Sequence, residues 1–191
     1  MATQSARAQD SRHTLIGLLL QHIGDDPERE GLVGTPDRVV RSWDKLYGGY
    51  KQNPKDVLCT VFEETENYDQ MVLLRDIEMY STCEHHLLPF FGKAHVGYVP
   101  GTRVVGISKL ARLVECFARR LQIQEKMTQQ IADALNDNLS PRGVGVIVEA
   151  QHFCMTSRGV EKQNSVMVTS ALRGCFTEKD VKEEFHRLCR Y

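Results

Sequence analysis

Two pairs of strand-like segments enclose a pair of amphipathic helices, and this order constrains the fold more than any other feature of the sequence. Apolar residues recur at helical spacing from Leu110 to Leu121 and from Met127 to Leu135, which predicts two helices joined near Gln122–Glu125. The flanking segments are rich in Val, Leu, Ile and Tyr, as is typical of strands. They are Met71–Met79, Lys93–Val99, Gly143–Ala150 and Ser165–Leu172. The pattern predicts an antiparallel sheet with helices packed on one face, an α+β fold.

Helical patterns also flank this core. Ser11–Gly24 has an amphipathic pattern, and a second helix is expected to start at Thr35, a capping residue followed by proline, and to stop at Gly48-Gly49. A last helix is marked by Val181, Phe185 and Leu188. We therefore expect an N-terminal helical arm over residues 1–54 and a sheet domain over residues 55–191.

Composition excludes several classes of function. The 191 residues are 41% hydrophobic and carry a net charge of −1, so the whole chain has no electrostatic attraction to nucleic acid or to an anionic membrane. Apolar runs stay well below the roughly 20 residues that span a bilayer, and the polar start, Met1 to Arg12, lacks the apolar core that is typical of a signal peptide. We expect a cytoplasmic protein whose six cysteines are reduced.

Potential metal ligands are concentrated in two short stretches. The segment Tyr80–Phe90, YSTCEHHLLPF, contains Cys83-x-x-His86, and the second stretch holds His152 and Cys154, either of which could supply a third ligand. Three protein ligands are typical of catalytic zinc, which keeps a fourth position open.

These residues also allow a purely structural interpretation. Free cysteines are among the most buried residues, and His85 and His152 could be ordinary loop histidines. Both stretches, however, follow predicted strands, in loops where polar groups have no packing reason to cluster, and this favours a metal site. Glu84 is expected to fix the loop or to support a ligand.

Basic residues and one acid indicate an anionic, base-containing ligand. Lys109 and Arg112 are expected on the first turn of the helix opened by Ser108, where backbone amides favour an anion. Arg158 and Arg38 could join them through the fold or a neighbouring subunit, although each alone could be a solvated charge. Gln124 and Glu125 start the next helix, and a carboxylate there could complement the helix dipole or accept two donors from a guanine edge.

Three long motifs resemble GTP cyclohydrolase I, in the family's order. They are STCEHHLLPF with FGKAHVGYVP, GISKLARLVECFARRLQIQEKMTQQI, and EAQHFCMTSRGV. The resemblance extends from about Thr14 to Arg187. It implies a tunnelling fold, in which antiparallel sheets of several subunits form a barrel, and a homodecamer of two pentamers. Whether the protein has a regulatory protein partner is left open, because no motif in the sequence identifies one.

The resemblance also implies a role for each candidate residue. Its zinc ligands correspond to Cys83, His86 and Cys154, and its catalytic residues to His85, His152 and, near the ribose, Ser108. Glu125 with Gln124 corresponds to the guanine site. The triphosphate clamp corresponds to Lys109, Arg112 and Arg158, with Arg38 delivered from a neighbouring subunit.

The implied reaction is hydrolytic opening of the guanine imidazole ring of GTP. Zinc activates a water for attack on carbon eight, the histidines move protons, and formate leaves. Rearrangement and ring closure then give 7,8-dihydroneopterin triphosphate, which feeds either folate or tetrahydrobiopterin synthesis.

Three alternative functions account for less of the sequence. A nitrile-reducing relative with a cysteine nucleophile does not account for the paired Cys and His residues, and the signatures of a zinc deaminase are missing. A non-catalytic, zinc-containing nucleotide-binding regulatory protein would bind GTP without releasing formate.

Overall fold

The computed structural model describes residues 4–62 and 69–190, which form two units. The first unit extends to Tyr47 and the second begins at Gly48. The helices are α1 (Gln4–His22), α2 (Thr35–Leu46), α3 (Pro54–Val57), α4 (Ile107–Ala118), α5 (Gln124–Leu139), α6 (Phe153–Thr156) and α7 (Lys179–Cys189). The strands are β1 (Val61–Phe62), β2 (Val72–Cys83), β3 (Pro89–Val99), β4 (Val104–Val105), β5 (Leu121–Gln122), β6 (Gly143–His152) and β7 (Met167–Gly174). None of these helices is both long and apolar enough to cross a membrane.

The first unit is a pair of packed helices, α1 and α2. The predicted bounds of α2 are confirmed, but Thr35 is not its cap: Gly34 holds the N-cap position and no side chain caps the helix. The start predicted for α1 at Ser11 is also wrong, because the helix already begins at Gln4.

Five strands form the main sheet in the order β5-β2-β3-β6-β7. All neighbours are antiparallel except β2 and β5, which pair in parallel through Thr82 and Leu121. The predicted antiparallel sheet is therefore confirmed, with one short parallel strand added at its edge. Strands β1 and β4 form a separate two-stranded sheet.

Strands β2 and β3 are longer than predicted, which changes where the metal-ligand candidates lie. Tyr80 still pairs with Phe91 and Thr82 with Pro89, so Cys83 is the last residue of β2. The loop therefore covers only residues 84–88, whereas the whole of YSTCEHHLLPF was expected to be loop. Polar residues carry a weak strand signal, and pairing with an apolar partner strand keeps them in the sheet.

Helices α4 and α5 cover one face of the sheet and form the core with it. Val146 and Val148 on β6 are fully buried in the same cluster as Leu113 of α4 and Ile131 and Leu135 of α5. This is the arrangement that the two helical stripes predicted.

The last helix packs on the opposite face of the sheet, so the prediction that the helices lie on one face is wrong for α7. Phe185 of α7 and Phe176 contact each other, with ring centroids 5.1 Å apart, in a second buried cluster that includes Ile147. Gly97 and Gly145 are paired across β3 and β6, and a Cβ at Gly145 would overlap both rings. These two glycines open the space that α7 fills.

Candidate active site

A cavity of about 350 Å³ lies at one end of the sheet, where β2 and β6 end and α5 begins. Seven of the twelve candidate site residues line it: Cys83, His85, His86, Gln124, Glu125, His152 and Cys154. They come from segments up to 71 positions apart in the sequence. The pairing of β3 with β6 brings the turn after β2, which holds Cys83 and His86, next to His152 and Cys154 at the end of β6. The cavity is therefore a product of the sheet topology.

Three of these residues form a group that could hold a metal ion. The ligand atoms of Cys83, His86 and Cys154 all lie within 4.8 Å of one another, and the Cys83 Sγ to His86 Nδ1 distance is 3.8 Å. Zinc bonds of about 2.0–2.3 Å at tetrahedral angles place neighbouring ligand atoms about 3.3–3.8 Å apart. The donor set of two thiols and one imidazole thus fits a zinc ion, and it leaves a fourth position without a protein ligand in this group.

The turn after β2 holds two of the three ligands. The Cys83 N–H donates to Leu88 O at 2.8 Å, and the Leu87 N–H donates back to Cys83 O at 2.9 Å. Leu87 adopts φ +55°, the left-handed region that a non-glycine residue rarely visits. These bonds close the turn and hold the Cys83 and His86 side chains on the same side of it.

Glu84 ties this turn to the neighbouring elements. Its N–H donates to Gln122 O of β5 at 3.0 Å, and its Oε2 lies 3.2 Å from Lys126 Nζ on α5. The contacts are those expected of a residue that fixes the loop.

The Cys154 thiol lies in an environment that opposes its ionisation. Burial raises the pKa of the Cys154 thiol, and the neighbouring Cys83 raises it further, whereas the Arg158 guanidinium opposes this rise. A divalent cation held by Cys83 and Cys154 would stabilise the thiolate form of both side chains. This is the chemical behaviour of a metal-ligand pair.

His152 is the last residue of β6 and is held on two sides. Its Nε2 lies 2.8 Å from Gln124 Oε1, and its ring stacks on Phe90. Burial lowers the pKa of His152, and the negative charge of Glu125 opposes that shift. Because the pKa is lowered from 6.5, the imidazole is neutral at pH 7 and can accept a proton.

The two remaining candidate residues in the cavity, His85 and Glu125, are exposed. His85 lies beside His86, with ring centroids 6.2 Å apart and planes 88° apart. Glu125 is in the first turn of α5, next to the buried Gln124. Both side chains are therefore accessible to a ligand in the cavity.

The basic candidates on α4 do not line this cavity. Lys109 and Arg112 line a second cavity of about 490 Å³, and the two cavities share no lining residue among those described. Gly106 is the N-cap of α4, so Ser108 lies in the first turn and does not open the helix. Lys109 is in the first turn, but the placement of Arg112 there was wrong, because it is in the second.

The remaining two arginines lie elsewhere. Arg158 is exposed, four residues after Cys154, and its charge acts on that thiol. Arg38 is exposed near the start of α2, within the first unit.

Two contributors to the site were missed from the sequence. Phe90, at the end of the quoted motif, pairs with His152 across β3 and β6. Thr169 of β7 contacts the side chain of Gln124, with its Oγ1 3.1 Å from Nε2. A register count between the predicted strands could have indicated Phe90, whereas Thr169 had no sequence signal.

Comparison with known proteins identifies close relatives. The sequence profile of the family described as GTP cyclohydrolase I matches residues 13–190. A protein named GTP cyclohydrolase 1 from Wolinella succinogenes is 63% identical over 89% of this chain and 91% of its own length. A protein of the same name from Chlorobium phaeovibrioides is 56% identical over 97% of this chain and 83% of its own length. Another, from Campylobacter jejuni, is 56% identical over 91% of each chain.

Proposed function

The chain belongs to the GTP cyclohydrolase I family and has the enzymatic activity of that family, and on this premise we propose that the guanine imidazole ring of GTP is opened within the 350 Å³ cavity. The observation that carries the proposal is the convergence of Cys83, His86 and Cys154 with His152 in one cavity. A metal-ligand group beside a neutral imidazole is the combination that a hydrolytic ring opening requires.

Cys83, His86 and Cys154 are proposed to hold a zinc ion. The mutual distances of their ligand atoms and the two-thiol, one-imidazole donor set support this choice of metal. When bound, zinc supplies Lewis-acid activation of water near neutral pH. Glu84 keeps the turn in place through Lys126 and Gln122, so the ligands are arranged before the metal arrives.

His152 and His85 are proposed to move the protons of the reaction. The neutral imidazole of His152 accepts a proton from the attacking water and returns it to the ring nitrogen whose bond to carbon eight breaks, which leaves a formamide. A second water then cleaves the remaining bond between carbon eight and nitrogen, with a second proton transfer to that nitrogen, and carbon eight leaves as formate. His85 is exposed beside His86 on the turn after β2, and it approaches the substrate from that turn, whereas His152 approaches from the end of β6. Subsequent rearrangement of the ribose and ring closure give 7,8-dihydroneopterin triphosphate, a precursor for folate or tetrahydrobiopterin.

Glu125 is proposed to hold the base. Its carboxylate is exposed at the cavity and is suited to accept two parallel N–H donors from the guanine edge. With the base held there, the reacting carbon is presented to the metal group without a large search.

The triphosphate is proposed to bind basic residues of more than one copy of the chain. Lys109, Arg112 and Ser108 lie on α4, away from the lining of the metal cavity, which supports a site completed by a neighbouring copy. Arg158 and Arg38 are both exposed and available for the same clamp.

We propose a homo-oligomer with shared sites, which would bring these basic residues to the cavity of a neighbouring copy. Strand β7 ends the sheet order, so its outer edge offers backbone groups to the sheet of another copy. We propose the barrel of a tunnelling fold, assembled as a decamer of two pentamers and working in the cytoplasm.

The test is product analysis after adding GTP to the protein with and without zinc. Release of formate together with the absorbance of a dihydropterin, lost on chelation and restored by zinc, is expected. Bound GTP with zinc present but no formate would instead indicate a nucleotide-binding protein without this activity.

A further inference from the structure

The side chain of Gln124 is fully buried and has a fixed orientation. Its Nε2 lies 2.9 Å from Val148 O, 3.0 Å from Met167 O and 3.1 Å from Thr169 Oγ1. A carbonyl oxygen only accepts hydrogen bonds, so the end of the amide that faces two carbonyls must be the NH2 group. The opposite orientation would place Gln124 Oε1 against two other acceptors, which excludes the flipped amide.

This orientation determines which nitrogen of His152 carries hydrogen. Gln124 Oε1 faces His152 Nε2 at 2.8 Å, and an amide oxygen cannot donate. His152 Nε2 must therefore be the donor, in the neutral ring as well as in the protonated one. The lone pair of the neutral imidazole is then on Nδ1.

We infer that Gln124 is a positioning residue that holds His152 in the Nε2–H tautomer, so that proton transfer during ring opening takes place at Nδ1. The mechanistic half of this inference rests on the proposed function, whereas the tautomer itself follows from the hydrogen bonds alone. Gln124 thereby acts on the reaction through His152, and its amide is not free to read the guanine base, which is the role that the family resemblance implied.

A chain of hydroxyl groups supports the same orientation. Thr128 is fully buried and its Oγ1 donates to Gln124 O at 2.7 Å, so its single hydrogen is used. The Thr169 hydroxyl, 2.7 Å from Thr128 Oγ1, must then be the donor in that contact, which leaves Thr169 Oγ1 as an acceptor for Gln124 Nε2. Every donor and acceptor in this series of hydrogen bonds is compatible with one orientation of Gln124.

Stacking fixes the remaining freedom of the imidazole. The rings of Phe90 and His152 are 4.5 Å apart with planes 4° apart, so the His152 ring plane cannot turn without losing the stack. The hydrogen bond fixes one ring nitrogen and the stack fixes the plane. Together they set both the tautomer and the direction of Nδ1.

The direct test is 15N solid-state NMR of the zinc-loaded protein with labelled histidine. The His152 signals are assigned by their loss in His152→Asn. We expect Nε2 to appear as the protonated nitrogen and Nδ1 as the unprotonated nitrogen of a neutral ring. A His152 ring protonated at Nδ1 alone in the wild-type protein would overturn the inference.

Two variants of Gln124 separate positioning from packing. Gln124→Leu removes the acceptor, and we expect a mixture of His152 tautomers and a fall in kcat on the order of 10-fold or more, with zinc retained. Gln124→Glu, protonated because it is buried, keeps an acceptor for His152 and a donor for Val148 O, and we expect it to keep the Nε2–H tautomer and to recover much of the rate. Loss of that tautomer in Gln124→Glu would contradict the inference.

Gln122→Leu is the matched control. Gln122 is also a buried glutamine, but its Nε2 donates to Phe117 O at 2.9 Å and to Gln130 Oε1 at 3.0 Å. We expect its replacement to leave the His152 tautomer unchanged, and a change equal to that of Gln124→Leu would reduce the role of Gln124 to general packing. Formate release is measured separately, so a wild-type protein with the expected tautomer but no formate would refute only the proposed function.

Discussion

His152 and Phe90 are direct partners across strands β6 and β3, and their rings stack with centroids 4.5 Å apart and planes 4° apart. Phe90 is fully buried, and it therefore provides a rigid surface for the imidazole at the edge of the cavity. This contact links the packing of the sheet to the chemistry of the site.

Replacing Phe90 should affect turnover as well as folding. We expect Phe90→Leu to lower the free energy of unfolding by about 1–3 kcal/mol, because three buried carbons are removed and part of their space stays empty. The loss of the stack frees the His152 ring, so kcat for formate release should fall several-fold. Urea unfolding and a formate assay measure the two effects. Phe91→Leu, which removes a ring that stacks on Tyr80, is the control, and an equal loss of kcat there would argue against a specific role for Phe90.

Loss of one thiol should remove both metal and activity. Cys154→Ser leaves Cys83 and His86 as ligands, and two ligands do not hold a structurally defined zinc site. Elemental analysis should find about one zinc per chain in the wild-type protein and a large loss in the variant. Cys175→Ser serves as the control, because Cys175 belongs to the cluster under α7. Full formate release by Cys154→Ser would make the metal assignment wrong.

Removing the imidazole should separate metal binding from ring opening. We expect His152→Ala to keep its zinc, because His152 is not in the ligand group, and to lose about 10²-fold or more of the rate as proton transfer fails. Metal analysis and pterin absorbance on the same sample test both statements. If zinc is lost together with the rate, His152 also supports the metal site.

Neutralising the exposed carboxylate should weaken substrate recognition. Glu125→Gln keeps the shape of the side chain but replaces one of two acceptor oxygens by a donor, so two parallel donors can no longer be matched. A hydrogen bond to a charged group contributes about 1.5–3 kcal/mol, which predicts a loss in kcat/KM of about 10- to 100-fold. Glu149→Gln, on the opposite side of the sheet beside His186 and Cys189, should change kcat/KM little. Equal kinetics for wild type and Glu125→Gln would exclude the proposed base contact.

Mixing two inactive variants should show whether copies share a site. Arg112→Ala and Cys154→Ala each inactivate the protein if both residues serve the reaction. If Arg112 acts in the cavity of a neighbouring copy, refolding the two variants together creates interfaces at which one copy supplies an intact Cys154 and its neighbour an intact Arg112. Formate release should then reappear. A mixture that stays as inactive as each variant alone would place Arg112 and Cys154 in the same chain's site.

The sequence by itself determined the types and order of the main helices and strands and the candidate residues of the site, whereas the short elements α3, β1, β4, β5 and α6 were not predicted. The helical stripes of α4 and α5 and the apolar strands β2, β3, β6 and β7 were readable, because periodicity is a property of neighbouring residues. Cys83 and His86 were readable for the same reason, since three positions of spacing in a tight turn keep two ligands close.

Only the tertiary structure decided between residues whose neighbours are distant in the sequence. The sequence alone left the third ligand open between His152 and Cys154, and the pairing of β3 with β6 brings the Cys154 thiol to Cys83 and turns His152 toward Gln124. The packing of α7 on the second face depends in the same way on two glycines, Gly97 and Gly145, that become neighbours in the sheet. A hydrogen bond or a ring stack between residues distant in the sequence forms only when the strands pair, so local sequence patterns do not predict it.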